Sequence, residues 1–145
     1  MQLQTAYGEQ VTVEEKDIFT FENGLPAFED EKQFVILPFG EDNPFYTMQS
    51  VKTPRLSFVI TEIFSFFKDY EIDIPKEVQS SLKILEPSDV VLFALLTVGA
   101  DIATTTANLR APIVANINGH VAKQIILTEI NYSKKTSLLQ QVKGE

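Results

Sequence analysis

Two apolar, β-branched runs, Ile113 to Ile117 and Val121 to Leu127, flank Asn118-Gly119, whose residues tolerate positive φ. The pattern predicts a β-hairpin. Its register depends on which side chains must share a face. A two-residue loop would set Ile113 opposite Gln124 and Ile117 opposite His120, mixing apolar with polar on both faces. A three-residue, bulged loop keeps Ile113, Ala115 and Ile117 beside Val121, Ile125 and Leu127. A one-residue slip moves a whole apolar set to the wrong side, so the bulged loop is the preferred expectation. Lys123 is then the exception on that face and belongs near a sheet edge or rim. Pro112 cannot donate to a ladder, which puts it at an edge, a bulge or a strand start.

Upstream, Gln2–Thr5 and Gln10–Glu14 alternate in polarity, turning Leu3, Val11 and Val13 inward around a bend at Tyr7-Gly8. Short strands are predicted at Ile18–Phe21, Lys32–Phe39, Phe45–Val51 and Leu56–Ile60, with turn residues at 22–26, 41–44 and 53–55 between them. Phe28 is expected to bury its ring locally while Glu29-Asp30-Glu31 stays in water. Ile74, Val78 and Leu82 recur every four residues and predict a helix over 74–85, with Pro75 in its first turn. Val90–Val98 is apolar on both faces, so it is expected to be the most buried strand, paired on both sides. A Leu95→Ala change there is expected to cost about 2–5 kcal/mol. Beyond Leu127 the pattern fades, and Lys134 onward reads as a short helix or a frayed tail. These elements predict a mainly β chain: one domain over 1–145, a small antiparallel β-barrel with one or two short helices and a mobile tail over 133–145.

Composition narrows the chemistry. The hydrophobic fraction of 44% is that of a globular domain, and the absence of cysteine removes disulfides and thiolate chemistry. No apolar run approaches the roughly 20 residues that span a bilayer, and Met1-Gln2-Leu3-Gln4 lacks the features of a signal peptide. A cytoplasmic protein with no membrane contact is the expectation. The net charge is −8, with acids crowded before Glu77 at Glu29-Asp30-Glu31, Glu41-Asp42, Asp69, Glu71 and Asp73. Such a surface repels phosphate backbones, so no direct nucleic-acid binding is expected, while a basic partner is. A solvated, solubilising face explains the same charges equally well.

No residue set predicts catalysis, a cofactor or a metal site. His120 is the one histidine and sits beside the hairpin turn, where turn decoration is the better reading. Carboxylate pairs such as Asp69 with Glu71, or Glu29 with Glu31, lie in acid-rich loops with nothing to desolvate them. Phe64, Phe66, Phe67 and Tyr70 form an unusually aromatic stretch. Core packing is the default for such rings, and a partner-binding groove anchored by Phe66 and Tyr70, rimmed by Asp69 and Glu71, is the alternative. Arg110 is expected to hold a local carboxylate and Asn108 to satisfy loop backbone groups, although both remain candidate contact residues.

Several segments carry a resemblance over almost the whole chain. Gly24-Leu25-Pro26-Ala27-Phe28-Glu29, Phe34-Val35-Ile36-Leu37-Pro38, Pro44 to Val51, Asn108-Leu109-Arg110-Ala111-Pro112 and Lys123 to Leu127 occur in the right order between about Tyr7 and Tyr132. In these the chain resembles FliW, the bacterial flagellar assembly factor family. It departs at Ala27, where the family usually has glycine, and alanine suggests an ordinary negative φ. The resemblance implies a small β-barrel that binds rather than catalyses. It implies flagellin as one partner and CsrA, a translational regulator, as the other. Flagellin occupies the FliW-like protein; once flagellin is secreted, the released protein binds CsrA away from its RNA site and relieves repression of flagellin translation. A groove for an amphipathic helix of either partner is one expected docking mode. RNA exclusion would then follow from Glu29, Asp30, Glu31, Glu41 and Asp42, solvated in two turns within a Debye length of the RNA path, or from a conformational change in CsrA. The alternative from another class is a ligand-holding barrel with no flagellar role.

Overall fold

The structure, a computed structural model, describes residues 1–40, 42–128 and 132–139. Eleven strands are present among them: β1 (Gln2–Gln4), β2 (Gln10–Thr12), β3 (Ile18–Thr20), β4 (Gln33–Pro38), β5 (Phe45–Ser50), β6 (Ser57–Glu62), β7 (Val90–Thr97), β8 (Thr106–Ala107), β9 (Ile113–Asn116), β10 (Val121–Gln124) and β11 (Thr136–Ser137). The order β7-β6-β5-β4-β3-β10-β9 closes on itself through a β7–β9 pairing, making a seven-stranded barrel. Every pairing in it is antiparallel except β3 with β10. Closure removes sheet edges, which small β proteins must otherwise protect.

Alternation sorts the side chains into two cores. Phe34, Met48, Ile60, Phe93, Ile113 and Ala122 converge in the barrel interior, with Phe21 and Leu25 from the turn after β3. On the outside of β7 and β9, Leu92, Ala94 and Val114 meet Val78 and Leu82 of the helix α1 (Lys76–Ser81), together with Ile63, Phe67 and Tyr70. A smaller cluster seats the β1–β2 hairpin, through Leu3 and Val13, on Val35.

This double coverage explains where the predicted hairpin register goes wrong. Ile113 does pair with Gln124 and Asn116 with Val121, leaving a four-residue loop, 117–120, in place of the expected bulge. All four residues of β9 are buried, the odd ones in the barrel and Val114 under α1, so no polar face had to be spared. The positive φ falls on His120 (56°), not on Asn118 or Gly119. β9 is also more buried than β7, whose ends are only half-covered; β7 is nevertheless paired on both sides, as expected. Lys123 sits half-buried opposite Val114.

β8 and β9 lie in succession against the same side of β7. Leu96 pairs with Ala107 and Phe93 with Ile113, so three steps along β7 correspond to six on the opposing chain. The excess is the 108–112 loop, and Pro112 ends it immediately before β9. Thr136–Ser137 is a strand against β8 and Leu138 is buried, so this part of the predicted helix or frayed tail is neither; the rest of that tail, 140–145, lies outside the described residues.

The turn before β4 corrects another expectation. Leu25 and Phe28 exchange both backbone hydrogen bonds around Pro26-Ala27, and Ala27 has φ 70°. Proline at the second position and positive φ at the third is the arrangement of a type II turn, which favours glycine at the third. Proline therefore dictates what Ala27 must adopt. The turn constrains Gly24 as well, where a Cβ would come within 2.5 Å of the Glu29 carbonyl oxygen. Left-handed backbone costs a non-glycine residue roughly 1–2 kcal/mol, partly offset by the greater unfolded-state freedom of glycine. Ala27→Gly is expected to raise stability by about 0.5–1 kcal/mol in urea unfolding; a lower midpoint would contradict this turn geometry.

Candidate partner-binding groove

The groove forms where helix α1 stops. The predicted helix over 74–85 is shortened to six residues because Lys83 takes φ 56° and Ile84 N–H reaches back to the Gln79 carbonyl at 2.9 Å. That is a Schellman ending, with lysine where glycine is commonest. The chain then runs out through Leu85 and Glu86 into a 3-10 turn, Pro87–Asp89, which leads into β7. Asp89 clamps this segment: one carboxylate oxygen accepts Leu85 N–H at 3.0 Å and Glu86 N–H at 3.1 Å. The other accepts the Asn118 side-chain amide at 2.7 Å. The backbone hydrogen bonds from Leu85 and Glu86, then the one from Asn118, hold the Asp89 carboxyl below the usual carboxylate range. Behind the clamp, buried Asn116 donates to the Leu82 carbonyl at 2.7 Å and accepts Asn118 N–H and Gly119 N–H at 2.9 and 3.0 Å.

This lip and the 3-10 turn Ile63–Ser65 share an open groove of about 430 Å³, whose apolar lining includes Phe64, Ile72, Ile74, Ile84, Leu85 and Val90. Its charged lining residues are Asp73 and Glu86. Leu85 is 92% exposed and Phe64 49% exposed. An open apolar groove of this kind is a candidate contact surface.

The residues singled out from the sequence fall around this groove rather than in it. Tyr70 is buried; its hydroxyl donates to the Leu109 carbonyl at 2.7 Å, and burial, then the neighbouring Tyr132, pushes its phenol well up. Phe66 is half-buried and stacks on Phe45, centroids 5.8 Å apart. Asp69 and Glu71 are exposed just ahead of Ile72 and Asp73. Phe64, Ile84 and Leu85 were not singled out as anchors. The exposure of Phe64 follows from the 3-10 turn, which has no apolar periodicity to read.

The acidic turns separate. Glu29 and Asp30 are exposed, but Glu31 is buried and accepts hydroxyl hydrogen bonds from Ser50 and Thr53. Burial pushes its carboxyl up, and those two hydrogen bonds with the Lys52 charge outweigh it, leaving the pKa lowered. Glu31 thus tethers the start of β4 to the β5–β6 turn instead of standing in water. Phe28 is 40% exposed, against the expectation, with its ring edge-on to Phe58. Asp42 is exposed at the far end of β4, and Glu41 lies outside the described residues.

In the 108–112 loop, Asn108 accepts Arg110 N–H at 3.2 Å and Ala111 N–H at 3.1 Å, as expected of a residue that satisfies loop backbone. Arg110 does not hold a carboxylate among the described residues; its Nε donates to the Leu127 carbonyl at 3.3 Å and it remains exposed. His120 packs its ring 4.8 Å from Phe19 beside the hairpin loop. The described residues contain no group of three or more His, Cys, Asp or Glu able to hold a metal ion, and no helix long and apolar enough to cross a membrane.

Comparison with known proteins places this architecture. The FliW protein family model matches residues 2–138. A flagellar assembly factor FliW of Geobacillus sp. (strain WCH70) is 47% identical over 141 residues, covering 97% of each chain. The flagellar assembly factor FliW of Bacillus subtilis (strain 168) is 41% identical over 135 residues, 93% of this chain and 94% of that one. A crystal structure of the flagellar assembly factor FliW superposes with a TM-score of 0.90 at 45% identity, covering 95% of this chain and 96% of the other. The seven-stranded barrel and the sequence agree over nearly their full length: the chain belongs to the FliW family of flagellar assembly factors.

Proposed function

We propose that the chain acts in flagellar assembly as a cytoplasmic, non-enzymatic binding protein. It holds flagellin and, alternatively, the translational regulator CsrA, whose release from RNA lets flagellin be translated. The observation that supports this reading is an open apolar groove on a barrel whose own interior is filled. Phe21, Phe34, Met48, Ile60 and Ile113 pack the barrel interior, which speaks against the ligand-holding alternative, whereas the groove offers its apolar surface to a macromolecule. The net charge of −8 suits a basic partner and disfavours RNA.

The placement of the acids narrows how RNA could be excluded. Glu29 and Asp30 precede β4 and Asp42 follows it, so a six-residue strand of roughly 20 Å separates them. That exceeds the Debye length of about 8 Å, so the two turns act independently, each on its own stretch of an RNA path. Purified CsrA and flagellin, titrated separately and in competition into the full chain, are expected each to bind and to displace one another. Failure of both to bind would overturn the reading. Repeating the CsrA titration with RNA present, on Glu29→Gln with Asp30→Asn and on Asp42→Asn, identifies the turn that acts; exclusion unchanged in both leaves the conformational account.

A further inference from the structure

The groove beside helix α1 has features that specify its occupant. Its two most exposed apolar residues, Phe64 and Leu85, stand on different elements, one on a 3-10 turn after β6 and one on the lip before β7. The lip does not need to be ordered by a partner: Asp89 fixes the backbone of Leu85 and Glu86, and Asn116 fixes the carbonyls of Leu82 and Lys83. Preformed contact surface avoids the ordering cost that weakens association. Both charged residues lining the groove are acids, Asp73 and Glu86; nearby in sequence Asp69, Glu71 and Glu77 are matched by Lys68, Lys76 and Lys83, so the local acid excess is that lining pair.

A second exposed apolar patch, at the other end of β7, does not share this character. Val98 and Ile102 are exposed there, but its one charged lining residue, Asp101, already accepts Thr104 N–H at 3.1 Å and caps its own 3-10 turn. With two acids in its lining to that patch's one, the groove is the more acidic of the two apolar surfaces.

The geometry points to the groove between Phe64 and Leu85 as the seat of a cationic amphipathic segment of a protein partner, its apolar stripe gripped by those two side chains and its lysines or arginines set against Asp73 and Glu86. This deepens the binding reading above and rests on it. An apolar trough with a charged rim suits a helix bearing anchors on one face, and the acids select for a basic flank. Phe64 and Leu85 supply the desolvated contact, while Asp73 and Glu86 govern association rate and salt dependence.

The test uses the full chain and both purified partners, CsrA and flagellin, by calorimetric titration at two salt concentrations. Leu85→Ser and Phe64→Ser, exposed enough to leave melting near the parent, are expected to weaken at least one partner by about tenfold or more. Asp73→Asn with Glu86→Gln is expected to flatten the salt dependence of that same partner, and Val98→Ser to change neither. Affinities within twofold of the parent in both Leu85→Ser and Phe64→Ser, with the parent binding normally, would overturn the assignment of the groove alone. A parent chain that binds neither partner would overturn the underlying reading as well. Loss of binding in Val98→Ser instead would move the site to the other end of β7. Sedimentation showing a parent dimer that Leu85→Ser dissolves would make the occupant a second copy of this chain and overturn the proposal.

Discussion

Phe34→Ala is expected to lower the unfolding free energy by about 3–5 kcal/mol, read as a reduced urea midpoint with an unchanged slope. Phe34 lies on β4, fully buried, with its ring 5.4 Å from Phe21 and 6.1 Å from Phe58. The residues around it come from strands fixed by ladder pairing on both sides, Phe19 across from β3 and Ser50 across from β5. A closed barrel cannot collapse into the vacated space without breaking register, so the cavity term should persist alongside the lost transfer energy. Against a typical stability of about 5–15 kcal/mol, that loss takes a large share of the total. Leu95 gives the contrast. It was expected from the sequence to be a core position, yet it is only half-buried, so Leu95→Ala should cost clearly less than Phe34→Ala. A Phe34→Ala midpoint equal to that of Leu95→Ala would mean that the interior is not close-packed.

What the sequence revealed was the type of each main element, because period-2 alternation and turn residues are local signals. β4, β5, β6 and β7 stand close to their predicted spans, and Pro112 does mark a strand start. What it hid were features decided by tertiary neighbours. The hairpin register rested on the assumption of one polar face, which the packing of α1 over β9 removes. The helix end was invisible because Lys83, not a glycine, adopts the left-handed conformation. Glu31 looked like its neighbours Glu29 and Asp30, and only the return of Ser50 and Thr53 from β5 and the turn beyond it buries that carboxylate. For the aromatic stretch core packing was the default, and Phe67 and Tyr70 are buried as it implies; the alternative of surface anchors at Phe66 and Tyr70 misplaces Tyr70, and Phe64 is the exposed ring.

Asn116→Ala is the second large loss expected, and it joins stability to the groove. The side chain is buried and satisfied on both sides: its amide donates to the Leu82 carbonyl at 2.7 Å and the Lys83 carbonyl at 3.3 Å, while its oxygen accepts Asn118 N–H and Gly119 N–H. It ties the end of α1 to the β9–β10 loop, two segments that the sequence places more than thirty residues apart. Alanine removes all four contacts and leaves a carbonyl at the buried Leu82 without this donor. At about 1 kcal/mol net per lost hydrogen bond, and about 1–3 kcal/mol for an orphaned buried group, the expected cost is about 2–3 kcal/mol, since water can reach the exposed loop amides. Asn116→Asp should not restore stability, because it keeps the acceptor but sets a carboxylate oxygen against the Leu82 and Lys83 carbonyls. Asn118→Ala should have a much smaller effect, as that side chain is exposed and donates a single hydrogen bond to Asp89. The functional consequence is separable from global unfolding. Loss of the tether frees the lip that carries Leu85, so amide exchange at Leu85 and Glu86 should accelerate more than exchange at β5 amides, and partner affinity should fall under conditions where the variant remains folded. If Asn116→Ala melts with the parent, or if its lip amides exchange at the parental rate, the lip is held by Asp89 alone and Asn116 has no part in presenting the groove.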